Sequence, residues 1–488
     1  MRFNYVCKMK LRNGLFFFGL FSLLIIGAVS HSGCANIVPP TGGPRDTLPP
    51  RLVSAVPGDS DRNFNTNKIV FTFDEYIDPK DIRTELVVSP LPKVEPIVDS
   101  KLRTLTVKLK DTLEPNTTYS LNFGKSIRDY NEGNILRDFK YVFTTGRRID
   151  QGAFGGTVVI ANTGKPDSSL VVILHRKFDD SAVVKDRPRY LTRMDSTGQF
   201  YFENIQPGRY AVYAMKDEGG SHKYLSKGQI FAFADSPVVI TENTPPLTLY
   251  AYAEETGSKP KTSTTQAPVQ PQGRKTARER ERDRRLQFQT NATNGVFDVL
   301  DTFKISFATG MRAFDSTQIR FTDENFKDID PRRYRYVRDS TNKVFAMFYN
   351  WPTDTKFNLI IPKTFGQDSA GRRLLKDDTV TWRTKKDIDY GEIRIRIPNL
   401  NMSQRPVLQM VVGDNVKYSF PFNTRREVRM VLFPPGEYEL RILYDTNGNL
   451  RWDTGNFFGK KLRPERVIPI RRKLTVKANW DNDIDITL

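Results

Sequence analysis

The sequence predicts an all-β protein made of four β-sandwich domains in tandem. Three observations carry that expectation. Short runs of alternating apolar and polar residues recur along the chain, separated by Pro, Gly, Asn and Asp. The first of these regions holds no stretch with sustained helical spacing. The second half of the chain then repeats the first as a two-domain cassette, and a repeated pair of sandwiches suits a rod or arch better than a single catalytic cleft.

Residues 1–33 read as a signal peptide. Arg2, Lys8, Lys10 and Arg12 precede an apolar run from Leu15 to Val29. That run is shorter than the ~20 residues of a membrane span. Ser32-Gly33-Cys34 follows and resembles the lipobox of bacterial lipoproteins, with His31 where that family usually carries an apolar residue. The resemblance implies lipidation at Cys34; the other reading is an uncleaved anchor helix. Residues 34–50 form a Pro/Gly-rich tether, in which Pro39, Pro40, Pro44, Pro49 and Pro50 favour extended backbone and a semi-rigid spacer.

Loss of the leader removes Cys7 and leaves Cys34 as the only cysteine. An intrachain disulfide and a Cys-based zinc site are then excluded. Only His175 and His222 remain, too few for a His-rich metal site and little material for a Ser-His-Asp triad. The formal charge of +19 falls by the four leader cations and stays strongly basic. For an exported chain this suits anionic lipid head groups, lipopolysaccharide phosphates or an acidic protein, or simply a solvated surface, and no nucleic-acid partner is expected.

The first domain spans 51–150. Lys68–Asp74, Leu102–Leu109, Thr118–Phe123 and Phe139–Phe143 all alternate. Phe71-Thr-Phe-Asp-Glu75, Leu113-Glu-Pro-Asn-Thr-Thr-Tyr119, Ile127-Arg-Asp-Tyr-Asn-Glu-Gly-Asn134 and Phe143-Thr-Thr-Gly146 occur in this order. In these pieces the domain resembles the bacterial Ig-like module of surface proteins, a family that is mostly structural or adhesive. The second domain, 151–254, centres on Asp195 to Asp217, where two strands flank a Pro207-Gly208 turn. It resembles the transthyretin-like (carboxypeptidase regulatory-type) sandwich, which implies an accessory or binding module.

Residues 255–285 are rich in Ser, Thr, Pro, Gln and Lys and end in Arg274-Lys-Thr-Ala-Arg-Glu-Arg-Glu-Arg-Asp-Arg-Arg285. They read as a disordered basic linker, with Glu279, Glu281 and Asp283 diluting the cations. The third domain, 286–387, repeats the first: Phe303–Phe307 answers Lys68–Phe71, and Asp368-Ser-Ala-Gly371 answers Tyr130-Asn-Glu-Gly133. The fourth, 388–488, repeats the second: Pro435-Gly436-Glu-Tyr438 matches Pro207-Gly208-Arg-Tyr210, and Asp445 matches Asp217.

The sharpest constellation is Asp445-Thr-Asn447-Gly-Asn449-Leu-Arg451-Trp-Asp453. Oxygens of Asp445, Asn447 and Asn449, the Arg451 carbonyl and Asp453 fall at calcium-loop spacing. Asn456 stands where the bidentate Glu of such loops belongs, and Leu450 where Gly belongs. The other reading is a tight Asp/Asn/Gly loop held by side-chain to backbone bonds. Asp74, Glu75 and Asp78 form an acidic group better explained by strand-end solvation than by paired-carboxylate chemistry. Among Tyr210, Tyr213, Tyr250, Tyr252, Phe345, Phe348, Tyr349 and Trp351, core packing is the default, and Phe345–Trp351 is the run best placed to be exposed. No catalytic residue is expected and no cofactor is required.

The tether, the opening Ig-like module and the Asp445–Gly455 loop together resemble an Ig-like-domain lipoprotein family of the Bacteroidota. That resemblance implies a non-enzymatic, lipid-anchored outer-membrane scaffold or interaction protein, an accessory subunit of an outer-membrane assembly, secretion or transport complex. Its partner would be an outer-membrane β-barrel or envelope complex. The alternative is a cell-surface carbohydrate-binding or adhesive module. Ala35 is not the aspartate that retains enteric lipoproteins in the inner membrane, and no acidic run follows Cys34, so the leaflet stays open.

Overall fold

The computed structural model describes residues 45–254, 285–459 and 461–488. The expected signal peptide, Cys34, most of the expected tether and the expected linker through residue 284 lie outside the described residues. Alternation decides the faces of every sheet. In Lys68–Phe73, the side chains of Ile69, Phe71 and Phe73 point into a closed core while Lys68 lies outward. Burying a ring such as Phe71 contributes about 1.5–3 kcal/mol, so a one-residue slip of this strand is strongly disfavoured.

The architecture is all-β, with four sandwiches in tandem. In the first, one sheet runs in the order Leu52–Val56, Lys68–Phe73, Thr104–Lys108, Ile97–Lys101. The facing sheet runs Asp61–Arg62, Lys140–Thr144, Thr118–Asn122, Val87–Ser89. The third sandwich has the same plan. Phe288–Thr290, Phe303–Phe307, Val344–Tyr349 and Tyr334–Arg338 face Val296–Phe297, Asp378–Thr384, Lys356–Ile361 and Arg320–Asp323. Each has the same short parallel pairing, Asp61 with Phe143 in one and Val296 with Arg383 in the other.

The second and fourth sandwiches share a different plan. In the second, Tyr190–Arg193, Leu170–His175, Gly208–Lys216 and Phe231–Phe233 face Gln199–Ile205, Gly152–Ile160 and Leu247–Ala251. In the fourth, Asn415–Pro421, Pro406–Val412, Gly436–Tyr444 and Val467–Val476 face Glu427–Phe433, Gly391–Arg396 and Asp481–Asp485. The last strand of each pairs in parallel with the first. The turn chemistry repeats as well: Tyr210 donates its hydroxyl to the Gln206 carbonyl at 2.7 Å, and Tyr438 to the Pro434 carbonyl at 3.0 Å.

Among the described residues α-helix is confined to the single turns Ile82–Glu85 and Ala182–Lys185. No helix of the described residues is long and apolar enough to cross a membrane.

Candidate functional site

The loop between strands Gly436–Tyr444 and Val467–Val476 brings the predicted residues together. Asp445 is buried and accepts from the backbone. Its Oδ1 takes Gly448 N–H at 2.7 Å and Asn449 N–H at 3.3 Å, and its Oδ2 takes Leu450 N–H at 2.7 Å. Asn447 Oδ1 accepts from Asn449 N–H at 3.0 Å, and Asn449 Oδ1 from Arg451 N–H at 2.7 Å. The two amide nitrogens donate to Asp453 Oδ2 at 2.7 and 2.8 Å. Leu450 adopts φ 62°, a left-handed conformation that Gly would hold without strain.

Sequence reasoning missed Glu465. This buried carboxylate closes the loop from its far end. Its Oε1 accepts Thr446 N–H and Oγ1–H, both at 2.6 Å, and its Oε2 accepts Asp453 N–H at 3.1 Å. Trp452 Nε1–H donates to the Glu465 carbonyl at 2.8 Å. Glu465 follows Asp453 by twelve positions, outside the compact spacing that marks the rest, so no local pattern exposes it.

These bonds engage the carboxylate of Asp445 on three backbone donors and that of Asp453 on two amides. They describe a loop wired from within. Among the described residues no group of three or more His, Cys, Asp or Glu side chains is placed to hold a metal ion. In the second sandwich the corresponding Asp217 is held differently: burial raises its carboxyl, but bonds from the His222 ring at 2.5 Å and from His222 N–H bring it below its usual range.

The wired loop carries Phe457 into the second sandwich. Phe457 is 1 % exposed and lies 5.0 Å from Phe231, 5.1 Å from Phe233 and 5.8 Å from Tyr213, centroid to centroid. Polar bonds flank the plug: Thr454 Oγ1–H donates to the Ala253 carbonyl at 2.7 Å and Phe457 N–H to Glu254 Oε1 at 2.8 Å. Gly455 lies so close to Tyr252 that a Cβ there would meet the ring. Lys165 with Glu439 at 2.8 Å, Lys461 with Asp180 at 2.7 Å, and Arg463 with Asp235 ring the contact.

The other junctions carry polar links, and at the first of them Val87 and Leu91 also pack on the apolar cluster of the second sandwich. Arg189 Nη1 binds Glu114 Oε1 at 2.5 Å between the first and second sandwiches. Between the third and fourth, the Tyr390 hydroxyl donates to Asp298 Oδ1 at 2.7 Å and accepts Val299 N–H at 3.0 Å, while Lys385 meets Asp298 Oδ2 at 2.8 Å.

The remaining sequence candidates serve the fold. Asp74 accepts Arg51 N–H at 2.8 Å, and Asp78 pairs with Lys80 at 2.7 Å. Tyr210, Tyr213, Tyr252, Phe345 and Trp351 are buried in the cores. The run Phe345–Trp351 does not form an exposed platform: alternation turns Phe345 and Met347 inward, Phe348 is its one exposed aromatic at 40 %, and Trp351 packs back on Phe297 at 4.9 Å. The acid at the Ig-like loop is one residue off the sequence match. The buried Asp368 corresponds to Asp129, which takes Glu132, Gly133 and Asn134 N–H as Asp368 takes Ala370 and Arg372 N–H.

Residues 46–145 match the bacterial Ig-like domain family. That match covers the first sandwich. No curated protein matches the chain. Among solved structures, the Bacillus anthracis TIE protein is 11 % identical, with 92 % of this chain and 75 % of that one covered and a TM-score of 0.16. BcpA, the major pilin subunit of Bacillus cereus, is 10 % identical over 69 % of this chain and 98 % of its own, with a TM-score of 0.16. The S-layer protein rSbsC(31-844) is 12 % identical over 90 % and 54 %, also with a TM-score of 0.16.

Proposed function

We propose that the protein is a non-enzymatic scaffold of the outer membrane, held by lipid on Cys34, and an accessory subunit of an assembly, secretion or transport complex. The observation that carries this reading is the docking of the fourth sandwich onto the second through Phe457. A chain whose most elaborate loop is spent on joining two of its own domains is built to hold a shape. The residues singled out for chemistry, Asp445, Asn447, Asn449 and Asp453, serve that same joint. The Ig-like first sandwich and the strongly basic surface fit a protein that meets acidic partners at the cell envelope.

The test is purification of the tagged, detergent-solubilised lipoprotein from its native membrane, with mass spectrometry of what accompanies it. A stoichiometric outer-membrane β-barrel or envelope protein is the expected result. A chain that purifies alone overturns the subunit reading. Retention in the membrane fraction by the wild type and release by Cys34→Ala tests the anchor separately.

A further inference from the structure

The first and second sandwiches meet along two sheet edges. Val87–Ser89 is the edge strand of one and Tyr190–Arg193 of the other, and Leu91 N–H donates to the Arg189 carbonyl at 2.8 Å. Where the edges part they leave a cleft of about 520 Å³, within the range of ligand clefts, roughly 300–1,000 Å³.

Its charge is positive and only partly neutralised. On one side lies His175, 2 % exposed, with no hydrogen-bond partner at Nε2 and left uncharged at neutral pH because burial lowers its pKa to about 4. Beside it Arg189 gives Nη1 to Glu114 and lies 5.8 Å over the Tyr190 ring, while its buried Nε and Nη2 make no hydrogen bond. Exposed Lys93, Lys110 and Arg176 stand around the opening on three separate segments. The acids of the cleft are already engaged: Asp111 accepts Lys93 and Val94 N–H, Asp186 pairs with Lys177, and Glu114 with Arg189.

Much of the rest of the wall is apolar, and Arg187 in it is paired with Glu95. Pro90, Pro92, Val94, Pro96, Leu109 and Leu113 line it, and the prolines offer no N–H donors. Recognition therefore falls to apolar contact and separated cations. A single phosphate would want its donors converging on one point. Cations carried on separate segments beside an apolar wall instead match carboxylates spaced along an extended chain.

We propose that this cleft docks an acidic peptide segment with interspersed apolar side chains, contributed by the partner protein. The proposal rests on the scaffold reading and gives the partner its chemistry. Salt weakens the contact, because the cations are exposed.

The experiment titrates the detergent-solubilised full lipoprotein with a fluorescein-labelled hexapeptide of alternating glutamate and leucine, read by anisotropy. The glutamine analogue and phosphatidylglycerol vesicles are run in parallel. The glutamate peptide is expected to bind, the glutamine analogue to fail, and K93E/K110E to bind at least tenfold more weakly. K327E/K343E, an equal charge change at two exposed lysines of the third sandwich, keeps full affinity. Arg176→Glu provides a second cleft variant, and thermal melts confirm that each variant is folded. Equal peptide binding by K93E/K110E overturns the proposal. So does a Cys34→Ala chain, free of the lipid anchor, that binds the vesicles through Lys93 and Lys110 but leaves the peptide free, which would make the cleft a lipid contact. The native-membrane purification separates the two readings. A partner retained by both wild type and K93E/K110E sinks the cleft but leaves the scaffold. A wild type that purifies alone sinks the scaffold, and the peptide titration still decides the cleft.

Discussion

The ring of Phe457, on a loop of the fourth sandwich, lies 5.0 Å from that of Phe231 in the second, at an interplanar angle of 61°. The two residues are separated by the whole third domain. Edge-to-face contact of this kind adds about 0.5–1.5 kcal/mol beyond burial of the ring. It makes the second and fourth sandwiches one packed unit although the chain between them is long.

Phe457→Ala empties that socket. Large aromatic truncations in closed cores cost about 3–5 kcal/mol. The wild type is expected to unfold its second and fourth sandwiches together in denaturant, and Phe457→Ala to split the transition in two. Phe458→Ala, at a residue 40 % exposed, is expected to leave the single transition in place.

Glu465 accepts three hydrogen bonds from Thr446 and Asp453. Glu465→Ala strands those donors and is expected to cost about 3 kcal/mol by calorimetry. Glu465→Gln keeps one acceptor and loses less. An alanine variant as stable as the wild type would show that the loop needs no closing carboxylate.

The hydrogen-bond net around Asp445 and Asp453 predicts a loop that holds without calcium. Chelator-treated protein is expected to melt at the same temperature before and after calcium is added. A Tm that climbs with calcium concentration in the wild type but not in Asp445→Ala would instead support the ligand set of Asp445, Asn447, Asn449, the Arg451 carbonyl and Asp453.

His175 supplies a pH dependence. Burial lowers its pKa from 6.5 to about 4, with Asp186 raising it and Lys177 lowering it in smaller measure. The folded state therefore resists the proton that the unfolded state accepts. The stability this group contributes is present above about pH 6.5 and is lost as pH falls towards 4. The shift corresponds to about 3 kcal/mol at most. His175→Leu removes the term, so the variant is expected to gain on the wild type between pH 7 and 4.5 in paired denaturant titrations. A stability difference that does not change with pH would contradict this.

Much of the fold was legible because alternation is a local signal. Ile69, Phe71 and Phe73 announced their strand, and Pro435-Gly436-Glu-Tyr438 announced the turn it shares with Pro207-Gly208-Arg-Tyr210. The loop at Asp445 was legible as far as Asp453, where the spacing is compact. Glu465 and the destination of Phe457 were not, because both depend on contacts across the fold. Burial of Phe345 and Trp351 was the default reading of their run, and Phe297, Phe321 and Trp382 of the facing sheet supply what they pack against.

Zero-length carbodiimide cross-linking of the whole, unmodified chain tests the central claim most directly. Lys165 Nζ lies 2.8 Å from Glu439 Oε2, and Lys461 Nζ lies 2.7 Å from Asp180 Oδ1. Both pairs join the second sandwich to the fourth. Mass spectrometry of the monomer is expected to find Lys165 linked to Glu439 and Lys461 to Asp180. Recovery of the link between Lys177 and Asp186, a pair within the second sandwich at 2.9 Å, without either of those would contradict the docked scaffold.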